Sequence, residues 1–431
     1  MHCSSARQAR RSSRSASPSR PPRRCPGPSS SPTPTATSAT FPRPEPSRRA
    51  ATRSNPPTSS TTASTVSSPT SSGWSPRPPS AWPRSWPLPE TLAARIARLT
   101  RAGIARRLFP GAAAYVSQGA RVLAHGTFGS TTYDPAASRP IGSGDLFDLA
   151  SLTKLYTTAL VLRLVERGAL RLDGRVSAHL PEVAADWTLE DLLAHRTGTT
   201  ADLLGEAVRQ GIRPCEPGQA DALWRVIFGC GRVVPLAPGQ SHYSDVDFLL
   251  AQAVCERAAG RGLAELMAAE VLEPLGLRDT RFCPGDVARC VPTELDDRWR
   301  HRLVAGEVHD EMAATLGGVA GHAGLFATAA DVGRFCETWL DPERRGRAFQ
   351  PHSDHFGLGW RLCDGSFFPC LARLGAVGHL GFTGTAAFVF PQSGSVFVLL
   401  TNRVHPTRHA APSRLPLLAQ MAEAVALACG V

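Results

Sequence analysis

Lysine is almost missing from this chain. Of 47 basic residues one, Lys154, is a lysine and all the others are arginines. A guanidinium stays charged at any working pH, whereas an amine can give up its proton. Arginine therefore serves wherever positive charge suffices, and the surviving lysine marks a position that needs a deprotonatable amine. Long apolar runs are missing too: none approaches the roughly 20 residues that span a bilayer, so no membrane span is expected. The 11 cysteines include no C-x-x-C pair, which argues for reduced thiols rather than a disulfide framework or zinc site.

Acidic residues are missing from one end. Residues 1–89 hold 13 arginines against the single acid Glu45, so the formal net charge of +11 belongs to that end and the rest is close to neutral. Residues 1–87 are dominated by Ser, Pro, Thr and Arg. Such a segment buries too little apolar surface to offset its ordering entropy and is expected to be a disordered tail. An arm that binds nucleic acid or anionic lipid is the functional alternative. Trp74, Trp82 and Trp86 could stack on bases, but they sit among prolines. A start codon assigned too far upstream would give the same composition. No nucleic-acid partner is expected for the body. The arginines after Met1 are not followed by an apolar stretch, so no secretory signal is read there and a cytoplasmic location is the default.

The remaining residues, 88–431, carry enough apolar content for one large or two medium globular units. Pro89 and Glu90 open a helix with Leu92, Ile96 and Leu99 on one face. Gly111–Ser117 and Arg121–His125 read as a β-hairpin about a Gln118-Gly119 turn. A long helix is expected from Ser151 to about Leu170. Further helices are expected at Thr188–His195, Val246–Ala259, Gly262–Leu272 and Ala330–Leu340. Strand patterns return at Phe356–Leu362, Gly375–Leu380, Ala386–Phe390 and Val396–Asn402, and a last helix at Ser413–Ala428. Strands at both ends with helices between predict an α+β fold. An antiparallel sheet is built from both chain ends (about 88–150 and 350–431), flanked by helices and carrying a mainly helical inserted domain (about 170–345).

Lys154 follows Ser151 by three residues at the start of a predicted helix. That spacing puts hydroxyl and amine on one face. The helix N-terminus adds positive potential, favours a neutral amine and aims the Ser151 N–H toward a developing oxyanion. The bland alternative is a chance serine ahead of a leftover surface lysine. The uniqueness of Lys154 favours chemistry.

Two more segments fall into line with Ser151-Leu152-Thr153-Lys154. Tyr243-Ser244-Asp245 follows Pro238-Gly239-Gln240, and His379-Leu380-Gly381 ends a strand ahead of Phe382-Thr383-Gly384. In order and setting these resemble the S-x-x-K, Y-x-N and K-T-G motifs of the serine β-lactamase and penicillin-binding protein superfamily. The resemblance runs from about Phe109 to Arg408. It includes Leu146-Phe147-Asp148-Leu149-Ala150, Leu192–Gly198 and Glu273–Leu277, and it is closest to the class C β-lactamase-like, esterase-containing branch. It implies that Ser151 attacks a carbonyl and that Lys154 and Tyr243 share the proton transfers. It also implies that the Ser151 and Phe382 amides form the oxyanion hole, and that His379, Gly381 and Asp245 border the substrate. No cofactor is implied. Three departures matter. His379 stands for Lys and Leu380 for a hydroxyl residue, weakening the grip on a substrate carboxylate. Asp245 stands for Asn, and a carboxylate beside Lys154 favours the ammonium, so Tyr243 becomes a candidate base.

Other candidates have plainer readings. His309, Asp310, Glu311 and His322 surround a glycine-rich loop without a metal-ligand spacing such as H-E-x-x-H. His195 reads as a helix C-terminal capping residue. Arg403 and Arg408 could meet a substrate carboxylate, though ordinary surface arginines would look the same. No G-x-S-x-G elbow is present. The expected function is hydrolysis of a small-molecule ester, amide or peptidoglycan-like substrate through a Ser151 acyl-enzyme. A carboxylesterase ranks ahead of a D,D-peptidase or β-lactamase, and a non-catalytic binding protein on the same fold is the alternative of another class.

Overall fold

The computed structural model of the chain describes residues 90–119, 121–229, 233–409 and 412–430. The segment expected to be a disordered tail, with its three tryptophans, lies outside the described residues. The first helix, Leu92–Ala105, starts where the Thr91 hydroxyl accepts the Ala94 amide at 3.2 Å, an N-cap that satisfies one orphan donor. Its Ile96 and Leu99 face inward. Gly103 is forced by proximity: a Cβ there would lie 2.7 Å from Phe109 and 2.8 Å from Leu417 of the last helix, Leu415–Ala428.

Six antiparallel strands follow in the spatial order Arg121–Gly129, Gly111–Gln118, Ser395–Thr401, Ala386–Phe390, Val377–Leu380 and Arg361–Leu362. The sheet thus joins both chain ends, as the α+β reading requires. Period-2 alternation feeds two separate cores. Ala112, Ala114, Phe388, Phe390, Phe397 and Leu399 pack toward the first and last helices. Ala113, Tyr115, Ala387, Val389, Val398 and Leu400 pack toward the helical region. Each fully buried large apolar side chain here contributes about 1.5–3 kcal/mol.

At the centre of the helical region Thr153–Glu166 lies against Asp245–Ala259. Both are buried nearly all round, the mark of a helix enclosed by protein. Of the boundaries that differ from expectation, three bear on the site and its surroundings. Ser151 sits in a single 3-10 turn, Ala150–Leu152, just ahead of the α-helix. The Gly262–Leu272 helix is α over Leu263–Met267 and π over Ala268–Leu272. The Phe356–Leu362 strand shrinks to Arg361–Leu362, because Gly359 at φ +72° carries the chain so near the nucleophile helix that a Cβ would lie 2.1 Å from Thr158 Oγ1. That short strand pairs Gly378 and Val377, so His379 and Leu380 lie on the free part of the edge. Among the described residues no helix is long and apolar enough to cross a membrane, and eight cysteines are free thiols.

Candidate active site

The chain reaches Ser151 through a constrained turn. Ala150 has φ +47°, a left-handed conformation that an L-residue adopts at a cost. The Asp148 carboxyl holds it there, accepting the Ala150 amide at 2.8 Å and the His309 amide at 2.6 Å. Burial raises the Asp148 pKa above the ordinary carboxylate value, and the His309 contacts oppose that rise. Two hydroxyls strap the loop after Val377–Leu380 to the same turn. Thr383 Oγ1 donates to Asp148 O at 2.7 Å and Thr385 Oγ1 to Leu149 O at 2.9 Å. This approach leaves no room for a side chain at Gly381, where a Cβ would meet Thr385 Oγ1 at 2.0 Å and Leu149 O at 2.5 Å. Phe382 is held between Gly381 and the Thr383 strap, on the same cleft as Ser151.

Lys154 is fully buried one turn further on. Its Nζ donates to Ser151 Oγ at 3.0 Å, to Asp245 Oδ1 at 2.7 Å and to His322 O at 3.2 Å, and lies 5.0 Å from the Tyr243 ring centre. Burial alone would depress the amine's pKa. The Asp245 carboxylate and Tyr243 override it and hold the amine well above its ordinary value. Burial likewise favours a protonated Asp245, but Lys154 and His322 keep it below the usual range. The Tyr243 hydroxyl interacts with both Lys154 and Ser151; burial raises its pKa, Lys154 opposes that rise, and Asp245 adds to it. At rest the site holds an ammonium, a carboxylate and a neutral phenol around one hydroxyl.

Ser151, Tyr243, His379, Gly381 and Phe382 border one cleft of about 330 Å³, with Lys154 and Asp245 behind them. Burial, then the Lys154 cation, lower His379 to about 3. Its Nδ1 lies 3.0 Å from Leu380 O, and a carbonyl only accepts, so the proton is assigned to Nδ1 and Nε2 is left as an acceptor. A neutral acceptor cannot hold a carboxylate.

The rest of the cleft lining is part cationic and part apolar. Arg361, Arg403 and Arg414 stand beside Phe356, Phe367 and Leu380. Arg403 donates to Phe382 O at 3.3 Å, and Arg414 to Gly381 O at 3.0 Å and Thr385 O at 3.3 Å. Among the described residues none of these three arginines forms an ion pair, and the Nε atoms of Arg361 and Arg414 are buried without a partner. Burial, reinforced by Arg403, lowers Arg414 to about 9, so it remains a cation at neutral pH. Arg408 is different: Glu294 and Glu311 hold it at 2.7 Å and 2.8 Å. Of the two arginines proposed from sequence, the structure leaves Arg403 open and ties up Arg408. Arg414 and Arg361 were missed, since an isolated arginine in an arginine-rich chain carries no signal.

The histidine and acid cluster forms a buried network behind the site. His309 meets Glu294 at 2.8 Å and His322 meets Asp310 at 2.9 Å. Asp245, Asp310 and His322 bring donor atoms within 4.8 Å of one another, but the Lys154 ammonium already neutralises Asp245. His195 closes its helix as expected: its amide bonds Leu192 O at 3.2 Å and the next amide, Arg196, bonds Asp191 O at 2.9 Å. The helix Leu189–Leu193 has its C-cap at Ala194, and His195, left-handed at φ +55° just beyond it, has a second role the sequence did not show: its ring turns inward to Asp247 Oδ2 at 2.8 Å.

A cleft-lining serine backed by a buried lysine, with a tyrosine across a sheet-edge cleft, is the arrangement of the acyl-serine enzymes built on a transpeptidase-like fold. Residues 96–420 match the family described as Beta-lactamase, and the chain belongs to that family. It is a β-lactamase-related serine hydrolase. A putative D-alanyl-D-alanine carboxypeptidase of Escherichia coli (strain K12) is 30% identical over 309 residues, covering 61% of this chain and 70% of that one. A protein of the same description from Salmonella agona (strain SL483) is 28% identical over 306 residues, 60% and 70% of the two chains. Among solved structures, EstCE1, a hydrolase with promiscuous acyltransferase activity, shares the fold at a TM-score of 0.62 and 23% identity, covering 78% of this chain and 98% of that one. The octameric penicillin-binding protein homologue from Pyrococcus abyssi does so at 0.58 and 20%, covering 78% and 77%.

Proposed function

We propose that the protein hydrolyses an acyl substrate through a covalent ester on Ser151, and that this substrate carries a carboxylate, as a peptide ending in D-Ala-D-Ala does. The observation that carries the chemistry is the 3.0 Å contact between Ser151 Oγ and a Lys154 amine that the tyrosine also meets. With Lys154 held as an ammonium, the Tyr243 phenol first gives its proton to solvent water, the lysine charge stabilising the phenolate; the phenolate then takes the Ser151 Oγ proton and Tyr243 returns it to the leaving amine. The amides of Ser151 and Phe382 receive the oxyanion. Water then cleaves the acyl-enzyme by the reverse path.

The carboxylate follows from charge. His379 is a neutral acceptor, so the anion-binding task falls to Arg403 and Arg414, cations without acidic partners on the cleft that holds the nucleophile. A guanidinium–carboxylate pair would satisfy donors now left unmet. This reading places a D-alanyl-D-alanine carboxypeptidase activity, the description given to relatives, ahead of the simple esterase first expected. The apolar wall of Phe356, Phe367 and Leu380 supports the esterase as the second reading. Release of D-alanine from an N-acylated Lys-D-Ala-D-Ala peptide, lost in Ser151→Ala, is the expected result. Turnover of p-nitrophenyl acetate without D-alanine release would select the esterase. Loss of neither activity in Ser151→Ala would overturn the acyl-enzyme.

A further inference from the structure

Beneath Tyr243 lies a second buried pair that the chemistry above does not use. His195 and Asp247 are both fully buried, with Nδ1 and Oδ2 2.8 Å apart. The carboxylate is held on its other side. Asp247 Oδ1 accepts the hydroxyl of Thr197 and, at 2.8 Å, that of Thr199. Nδ1 faces Asp247 Oδ2 on one side and receives the Ser244 amide at 3.3 Å on the other, so the ring is fixed in angle as well as place. Burying polar groups in an enclosed core costs free energy unless each is hydrogen-bonded. Packing alone would have been served by an apolar pair.

The fixed ring is aimed at one neighbour that matters. Its centre is 4.7 Å from that of Tyr243, and Phe356 closes the far side, 4.8 Å from the imidazole and 6.1 Å from the phenol. The backbone is tied as well as the rings. His195 O accepts the His242 amide at 2.8 Å, and Ser244 Oγ donates to Thr200 O at 2.6 Å. The segment 195–200 therefore brackets Tyr243 before, after and underneath.

We propose that the His195–Asp247 pair is a positioning element for Tyr243: it sets the plane of the phenol so that the hydroxyl meets Ser151 and Lys154 together. This rests on the acyl-enzyme reading of Ser151. A proton-transfer group displaced by about 1 Å costs about 10²-fold in rate. Loss of the pair should therefore lower kcat and leave substrate affinity nearly untouched, because His195 does not border the cleft.

Two variants separate the two halves of the device. His195→Phe keeps a ring but cannot bond Asp247, and His195→Gln keeps a donor but has no ring. Asp247→Asn is the conservative control, since the isosteric amide can still bond both the imidazole and the threonines. With p-nitrophenyl acetate as substrate, kcat is measured per Ser151 labelled at exhaustion by a fluorophosphonate, which removes any misfolded fraction. The expected result is a kcat about 10²-fold lower in both His195 variants with KM within about 2-fold, and most of the activity kept in Asp247→Asn. Wild-type kcat per labelled site in either His195 variant, or a loss borne by KM, would overturn the positioning role while leaving the acyl-enzyme intact. Failure of the wild type itself to be labelled at Ser151 would overturn the acyl-enzyme reading and this inference with it.

Discussion

Asp245→Asn is the perturbation whose outcome the site dictates most directly. The carboxylate lies 2.7 Å from Lys154 Nζ, and its charge raises the pKa of both Lys154 and Tyr243. For unit charges about 4 Å apart at an effective dielectric of about 20, the interaction is about 4 kcal/mol. That equals about 3 pH units at about 1.36 kcal/mol each. The Asp245 side chain keeps 32% of its surface exposed, and asparagine retains a hydrogen bond to the amine, so screening and substitution reduce the effect to a shift of about 1–2 units. The sign is the same for either candidate base. Removing a negative charge lowers the pKa of the amine and of the phenol, so the ascending limb of kcat/KM against pH moves to lower pH. The assay is D-alanine release or ester hydrolysis across the pH range for wild type and variant, with salt held constant. A limb that stays in place or moves upward would refute the electrostatic account of this site.

Three further outcomes follow from other parts of the cleft. Thr383→Val removes the strap to Asp148 O and leaves a buried carbonyl unpaired, an expected loss of about 1–3 kcal/mol in urea unfolding, with a fall in kcat as the Phe382 amide drifts; undiminished kcat would separate the strap from the oxyanion hole. Arg414→Met should raise KM for the carboxylate-bearing peptide and leave KM for p-nitrophenyl acetate unchanged, and equal effects on both would dismiss the anion site. His379 is held neutral down to about 3 in the fold but titrates near 6.5 when unfolded. Its stabilisation is therefore present above the unfolded value and lost as pH falls from about 6.5 toward 3, by at most about 5 kcal/mol. Denaturation at neutral and acid pH should show a shallower acid loss in His379→Gln than in the wild type.

The sheet strands were legible because each alternates between two apolar cores, and Ser151, Lys154 and Tyr243 because rare residue types stand in an ordered spacing. What escaped was set by tertiary approach. The strand expected from Phe356 is bent away by the close passage of Gly359 over Thr158, which no local pattern records. Ser151 falls in a 3-10 turn because Asp148 holds Ala150 in a left-handed conformation. His195 was legible as a cap because it follows a short helix, but only the fold brings its ring to Asp247, 52 residues further along the chain. Arg414 was hidden among arginines; its meaning lies in having no acidic partner, a property of three dimensions.

The burial of Lys154 has a practical meaning for chemical probing. It is the one side-chain amine of a lysine in the whole sequence, and it is sealed behind the nucleophile. A reagent that acylates lysine side chains has a single lysine to reach here, accessible only when the helix Thr153–Glu166 parts from Asp245–Ala259. The time course of that one modification, read by mass, becomes a clock for opening of the core around the site. A ligand that seats on Ser151 should slow it without needing to be a substrate.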